Sequence, residues 1–161
     1  METTRHFTAT TYVVHDGECL LHDHDRLDML LPPGGHLDRD ELPREAAVRE
    51  VREETGLDVT LLEPETSVVA DFGRELPSAE HTMLYDVDVF DGAVAHQHID
   101  FVYYGEAADR TLAPDDGERA IDRWRWFSPD DLRTHDGLTE EVVALGTEAI
   151  ERVGSERRNR D

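Results

Sequence analysis

Glu50, Glu53 and Glu54 stand at i, i+3 and i+4, a spacing that brings three carboxylates together on one side of a helix. At about 100° per residue they fall within an arc of roughly 100°, and Ala47, Val48, Val51 and Thr55 fill the neighbouring arc. The expected helix lays its apolar stripe on a sheet and leaves the glutamates at the edge of that contact. Each like-charge pair so placed costs about 0.2–0.5 kcal/mol. A hard divalent cation reverses the sign, because Mg²⁺ takes carboxylate oxygens and keeps waters and phosphates in its other positions. The plainer alternative is a solvated acidic helix in a chain rich in glutamate throughout.

The flanking residues show how such a helix is set in place. Pro32-Pro33-Gly34-Gly35 cannot continue a strand, and Pro43 followed by Ala46, Ala47 and Arg49 suits the first turns of a helix. Gly56 supplies the left-handed residue that ends it. Met29-Leu30-Leu31 reads as a short buried strand that delivers Gly34 and Gly35, whose lack of side chains permits close backbone approach to a ligand.

The order Gly35, five residues, Glu41, seven residues, then Arg49-Glu50-Val51-x-Glu53-Glu54-x-Gly56-Leu57 resembles the full signature of the Nudix (MutT-like) hydrolases. Nine positions at set spacing over 23 residues carry the resemblance, and none departs from the pattern. It implies an α/β Nudix fold, an α/β/α sandwich with a mixed β-sheet between the signature helix and a C-terminal helix. It also implies Mg²⁺, with Mn²⁺ as a substitute, held by Glu50, Glu53 and Glu54 and by the carbonyl of Gly35. In several members a further acidic residue reaches the metals from the loop before the last strand; Glu118 is the candidate here, with Asp116 and Asp122 behind it. Glu50 and Glu53 are the catalytic candidates, together with Arg49, which is expected to orient a carboxylate rather than react. Glu41 is expected to hold the loop. Which glutamate accepts the proton differs between members and stays open.

Composition bounds the rest. In 161 residues there are 38 acidic side chains against 16 basic ones, giving a formal charge of −22, and all 16 basic residues are arginine. A disordered acidic chain would lack hydrophobic periodicity, whereas here 38% of residues are hydrophobic and alternate in strands. A folded protein from a halophile fits better, since molar salt shortens the Debye length to about 3 Å and screens self-repulsion. Binding to a nucleic-acid duplex is disfavoured for want of a basic patch. Cys19 is the sole cysteine, so no intrachain disulfide forms; with no signal-like start and no membrane-length apolar run, the expectation is a cytoplasmic protein with no membrane partner. The length suits a single domain over 1–161, with residues 1–4 and 155–161 as frayed tails, and leaves a homodimer open.

Along the chain, Phe7–Val14 and Glu18–Leu21 form a hairpin across Asp16-Gly17. His22-Asp23-His24-Asp25 has metal-binding residue types but reads as a solvated turn. His36 lies where it could touch a phosphate, although a solvated loop histidine is the simpler reading. Leu57–Leu62 and Ser67–Ala70 read as one interrupted strand or two, followed by a loop over Asp71–Glu80. His81–Phe90 pairs through an Asp91-Gly92 turn with Gln97–Tyr104. In that second strand His96, His98 and Asp100 share one face, as a row that could read a base or phosphate or, the favoured reading, as the solvated face of an edge strand. Residues 107–119 form a loop and Ile121–Phe127 a strand. Ser128-Pro129 caps a short helix, and Thr139 starts a last helix that runs to Val153 and ends at Gly154. Trp-Phe-Ser-Pro-Asp-Asp-Leu, residues 126–132, also resembles the family's strand-to-helix ending.

The activity implied is hydrolysis of a nucleoside diphosphate linked to another moiety, a small-molecule partner, with water attacking phosphorus. Two other readings are an isomerase acting on an isoprenoid diphosphate, which would need a cysteine nucleophile, and a non-catalytic nucleotide-binding module, which would carry a degraded signature. The marker proline of the ADP-ribose branch near Phe72-Gly73, the tyrosine of the dinucleoside polyphosphate branch and the extended motif of the NADH branch are all missing, so the specific substrate is not named by the sequence.

Overall fold

The computed structural model describes residues 3–24 and 27–160, with the backbone alone at Phe90. Strands β1 (Thr4–His15) and β2 (Glu18–Asp23) form the first hairpin. Asp16 and Gly17 both take positive φ at its tip, matching the type of two-residue turn that suits twisted strands. Next come β3 (Leu30–Leu31), β4 (Gly34–His36) and helix α1 (Pro43–Thr55). They are followed by β5 (Val59–Leu61), β6 (His81–Phe90) and β7 (Ala93–Ala107). A 3-10 turn at Ile121–Arg123 leads into β8 (Trp124–Phe127), α2 (Pro129–Thr134) and α3 (Glu140–Arg160).

The sheet is mixed, in the order β3-β2-β1-β7-β5, with β4 paired to β1, β6 to β7 and β8 to β2. Only β1 and β7 run parallel among these pairs, in register over eleven positions from Thr4 opposite His96 to Val14 opposite Glu106. Both faces of this central pair are covered, which is why β1 reads as a continuous apolar run toward its end. On one face Ala9, Val13, Leu20 and Tyr103 meet Ala46, Ala47 and Val51 of α1. On the other, Tyr12, Val14, Leu21 and Tyr104 meet Leu132 of α2 and Val142, Leu145, Ala149 and Val153 of α3. The α/β/α layering with a mixed sheet is as expected.

Several expectations needed correction. The helix buries Ala46, Ala47, Val51 and Thr55, while Val48 is exposed. The buried arc is therefore centred closer to Glu50 and Glu54 than the apolar pattern suggested. Ser67–Ala70 forms no strand; the Ser67 and Val68 amides donate to the Glu75 carboxylate instead of to a neighbouring strand. Phe101 and its neighbours on β7 are already paired with β6, leaving no partner there. Strand β7 is longer than expected and central rather than peripheral. Ile121–Arg123 is a turn, so the last strand starts at Trp124.

The tails also differ. Thr4 already belongs to β1, and α3 continues through Gly154 to Arg160. Arg157 pairs with Asp16 at 3.1 Å and Arg160 with Glu106 at 2.9 Å, anchoring turns that glycine alone would have released. Among the described residues no helix is long and apolar enough to cross a membrane.

Candidate active site

Local sequence first fixes α1. Its N-terminus has Pro43 in the first position, and the Glu45 carboxylate accepts from the Leu42 amide at 2.9 Å. At the other end Gly56 adopts φ 75°, and its amide donates to the Arg52 carbonyl. A Cβ at Gly56 would collide with the Ala113 carbonyl, so both conformation and space require glycine.

Glu50 and Glu54 lie on the buried side of this helix, with side chains only 15% and 13% exposed, whereas Glu53 is 40% exposed. Space for them comes from β4. A Cβ on Gly35 would stand 2.5 Å from a Glu50 carboxylate oxygen, so any side chain there would fill the position the glutamate occupies. The Gly34 amide donates to Glu54 Oε2 at 2.9 Å. The two glycines thus let a pair of carboxylates sit between helix and sheet where apolar groups would otherwise pack.

Arg49 organises the outer side of the cluster. Its guanidinium donates twice to Glu41, from Nε at 2.7 Å and Nη2 at 2.9 Å, in the bidentate geometry that favours arginine. Nη1 donates to Glu50 at 2.8 Å and to Glu53 at 3.0 Å, while Nη2 also reaches the His36 carbonyl at 3.0 Å. Glu41 accepts from the Asp38 amide at 3.1 Å as well, which ties down the turn before the helix. These bonds hold Glu41 below the ordinary carboxylate range, its Arg49 bond being the largest cause, and raise the Arg49 pKa.

The inner carboxylates respond the other way. Burial raises the Glu50 pKa, Arg49 opposes it, and the charges of Glu53 and Glu118 add to it. Burial pushes Glu54 up to about 7, against the Gly34 amide and Arg119, with Glu50 and Glu118 reinforcing the rise. Glu118 therefore faces the cluster electrostatically. Its loop is bound to the end of α1 by the Ala113 amide on the Thr55 carbonyl and the Asp115 amide on the Glu53 carbonyl, both at 2.8 Å. The structure thus brings Gly35, Arg49, Glu50, Glu53, Glu54 and Glu118 into one neighbourhood.

Arg119 belongs to the same neighbourhood and was not anticipated. It lies 3.6 Å from Glu54, with its guanidinium over the Trp124 ring and near His22. An arginine directly after Glu118 was the only signal, and nothing local to that loop shows that it folds back on α1. His22 is buried against Trp124 instead of lying in a solvated turn, because β2 pairs with β8 there; Asp25 lies outside the described residues.

The row on β7 is not a solvated face. Asp100 is buried and accepts from Thr8 at 2.6 Å and Thr10 at 3.1 Å, while His96 and His98 are half-buried. Pairing with β1 places them on the sheet face opposite Gly35 and Glu50, together with His6 and His36. His36 therefore turns away from the carboxylates. Burial, then neighbouring imidazoles, lowers the pKa of His36 and of His98.

A buried acidic cluster on a helix, set against a glycine pair on a mixed sheet, defines an α/β enzyme with a potential divalent-cation site. A NUDIX domain model matches residues 4–145, and the chain belongs to the Nudix hydrolase family. A Nudix-family hydrolase from Clostridium perfringens is 35% identical, with a TM-score of 0.78 over 93% of this chain and 99% of that one. A Nudix hydrolase from Nitrosomonas europaea, 21% identical over 92% of this chain and 90% of that one, has a TM-score of 0.59. The MutT protein from Bacillus halodurans shares the fold at 17% identity, with a TM-score of 0.61 over 90% and 82% of the two chains. No curated protein matches the chain.

Proposed function

We propose that the chain is a Mg²⁺-dependent pyrophosphohydrolase, with Mn²⁺ able to replace Mg²⁺, that cleaves a nucleoside diphosphate linked to another moiety by attack of water at phosphorus. The observation that carries this reading is the placing of Glu50 and Glu54 between helix and sheet, only 15% and 13% exposed beside Gly35 and Gly34, where burial first and the charge of Glu118 after it raise the proton affinity of both. Oxygen donors without enough counter-charge suit a hard cation. Glu50, Glu53, Glu54 and Glu118, with the Gly35 carbonyl, would hold it. When bound, such an ion neutralises phosphate charge and lowers the pKa of water. Arg49 donates to both Glu50 and Glu53 and holds them in place, and Glu50 and Glu53 are the catalytic candidates.

Two alternatives are weaker. A cysteine-dependent isomerase would need a reachable thiol, but Cys19 is fully buried in the core and burial pushes it up to about 12. A non-catalytic module would have no use for carboxylates gathered against their own repulsion. The partner is proposed to be a small molecule, since a charge of −22 opposes a nucleic-acid duplex.

The test is a screen of nucleoside triphosphates, ADP-ribose, nucleotide sugars and dinucleoside polyphosphates with Mg²⁺ in high potassium chloride. Phosphate-containing products would identify the bond broken; absence of turnover throughout the panel would count against this reading.

We further propose that the acidity is an adaptation to high salt in a cytoplasmic protein of one domain. With 38 acidic residues and no lysine, repulsion grows as the Debye length rises from about 3 Å at 1 M to about 10 Å at 0.1 M. The melting temperature should fall steadily as potassium chloride is diluted over that range. A flat profile would remove the halophile reading and leave the hydrolase reading standing.

A further inference from the structure

His6 on β1, His36 on β4, and His96 and His98 on β7 each offer a ring nitrogen within 4.8 Å of those of the other three. Register produces this arrangement. His6 lies opposite His98 in the parallel β1–β7 pair, and His36 lies opposite Thr8, two residues beyond His6 on the same face of β1. Alternation then turns all four rings to one side of the sheet, opposite the side on which Gly35 meets Glu50. Consecutive residues of β4 therefore serve two chemically different clusters, one of carboxylates and one of imidazoles.

We propose that these four histidines form a binding site for a borderline divalent transition metal, with Zn²⁺ as the first candidate. Metal–nitrogen bonds of about 2.0–2.1 Å in tetrahedral geometry put the ring centroids of the ligands about 5 Å apart. The centroids here are 4.6 Å apart for His6–His96, 4.7 Å for His36–His98, 5.0 Å for His96–His98 and 5.4 Å for His6–His36. His6–His98 is wider at 6.4 Å. The four close pairs meet at interplanar angles of 70–88° and His6 lies at 19° to His98, while the ring nitrogens themselves converge to within 4.8 Å. Imidazole suits Zn²⁺, Ni²⁺ and Cu²⁺, whereas Mg²⁺ prefers oxygen, so the glutamate cluster and this one select different ions. His6 and His36 are exposed, which leaves an entry path.

Four protein ligands close a tetrahedral site, as in structural rather than catalytic zinc centres. The site would clamp the start of β1 and the short strand β4 to β7. Its consequence reaches the glutamates through β4, because the His36 carbonyl accepts from Arg49 and Gly35 precedes it. The inference is independent of the hydrolase reading, and either can fail alone.

The test is a calorimetric titration with ZnCl₂ on protein freed of any purification tag, in excess Mg²⁺ so that the carboxylates are saturated. Wild type, His6→Gln, His98→Gln and Glu54→Gln are compared, with Co²⁺ as a second probe because its tetrahedral complexes absorb visible light far more strongly than six-coordinate ones. Wild type and Glu54→Gln should each bind one equivalent of Zn²⁺, raise their melting temperature and give the tetrahedral Co²⁺ spectrum. Both histidine variants should bind at least tenfold more weakly and lose that spectrum. His6 is exposed near the start of its strand, so His6→Gln leaves the core untouched and can be read even if His98→Gln folds poorly. No saturable Zn²⁺ binding in wild type, unchanged affinity in His6→Gln, or loss of binding in Glu54→Gln would each overturn the proposal.

Discussion

Glu54→Gln is expected to make the metal-free protein more stable while lowering hydrolysis by about 100- to 1,000-fold, the size of loss seen when one preorganised electrostatic group is removed. The stability gain follows from burial. Glu54 is raised from 4.5 to about 7 in the folded chain. Below pH 4.5 folded and unfolded chains both keep the proton, and the carboxyl carries no penalty. Between 4.5 and 7 the unfolded chain releases it first, so stability falls as pH rises, and above 7 the full penalty is present. The displacement corresponds to about 3 kcal/mol at most, and glutamine, still able to accept from the Gly34 amide, should recover about 1–2 kcal/mol of it. Surface repulsion between helix glutamates would give only a few tenths, about 0.2–0.5 kcal/mol. Melts at pH 5 and pH 8 without metal separate the two: a difference between variant and wild type that grows with pH supports a buried carboxylate. Added Mg²⁺ should then favour wild type, because only wild type gains the full binding free energy. Equal responses to Mg²⁺ and equal turnover would remove Glu54 from the proposed ligand set.

Arg49→Met should lower activity too, but with the opposite effect on stability. The substitution keeps a long apolar stem and removes the cation that bridges Glu41, Glu50 and Glu53. Glu41 and Glu50 are only 12% and 15% exposed and would be left without their partner. Breaking a fully buried pair costs about 3–5 kcal/mol, and partial solvent screening reduces the expectation here to about 2–3 kcal/mol. Arg49→Lys should recover little of this, since one ammonium cannot reproduce the bidentate bond to Glu41 while reaching Glu50 and Glu53. Mg²⁺ should restore part of the lost stability by neutralising the same glutamates. If Arg49→Met and Glu54→Gln shifted the metal-free melting temperature in the same direction, the division into a compensated outer side and an uncompensated inner side would be wrong.

Much of this arrangement was legible from local chemistry. Pro43 and Gly56 bound α1 as their backbone preferences require, and Asp16-Gly17 and Asp91-Gly92 turn their hairpins with positive φ at both residues. What local chemistry could not show was which residues meet across the sheet. Val48 and Ala46 are both apolar, and only the docking of α1 on β1 decides that Ala46 is buried. Arg119 meets Glu54 across 65 residues of chain. The four histidines come from three segments whose alignment depends on the parallel register of β1 with β7. The C-terminal extension of α3 was missed because Arg157 and Arg160 find acceptors on β7 and on the first turn, far away in sequence.

The two hydrogen bonds from Ala113 and Asp115 to the last turn of α1 divide the loop after β7 into segments with different tolerance for change in length. From Ala113 onward the backbone is indexed against the helix, and Glu118 is further fixed by its amide on the Asp115 carbonyl. An extra residue in this part would move Glu118 relative to Glu50 and Glu54. Between Ala108 and Leu112 no backbone hydrogen bond to the helix is present among the described residues, and the anchors there are Arg110 on the His15 carbonyl and Leu112 against the cluster of Val51 and Leu57, so chain can be inserted next to Asp109 without moving the downstream anchors. Descendants of this fold could therefore acquire a new rim to the cleft by insertion before Ala113 while the carboxylate set keeps its spacing.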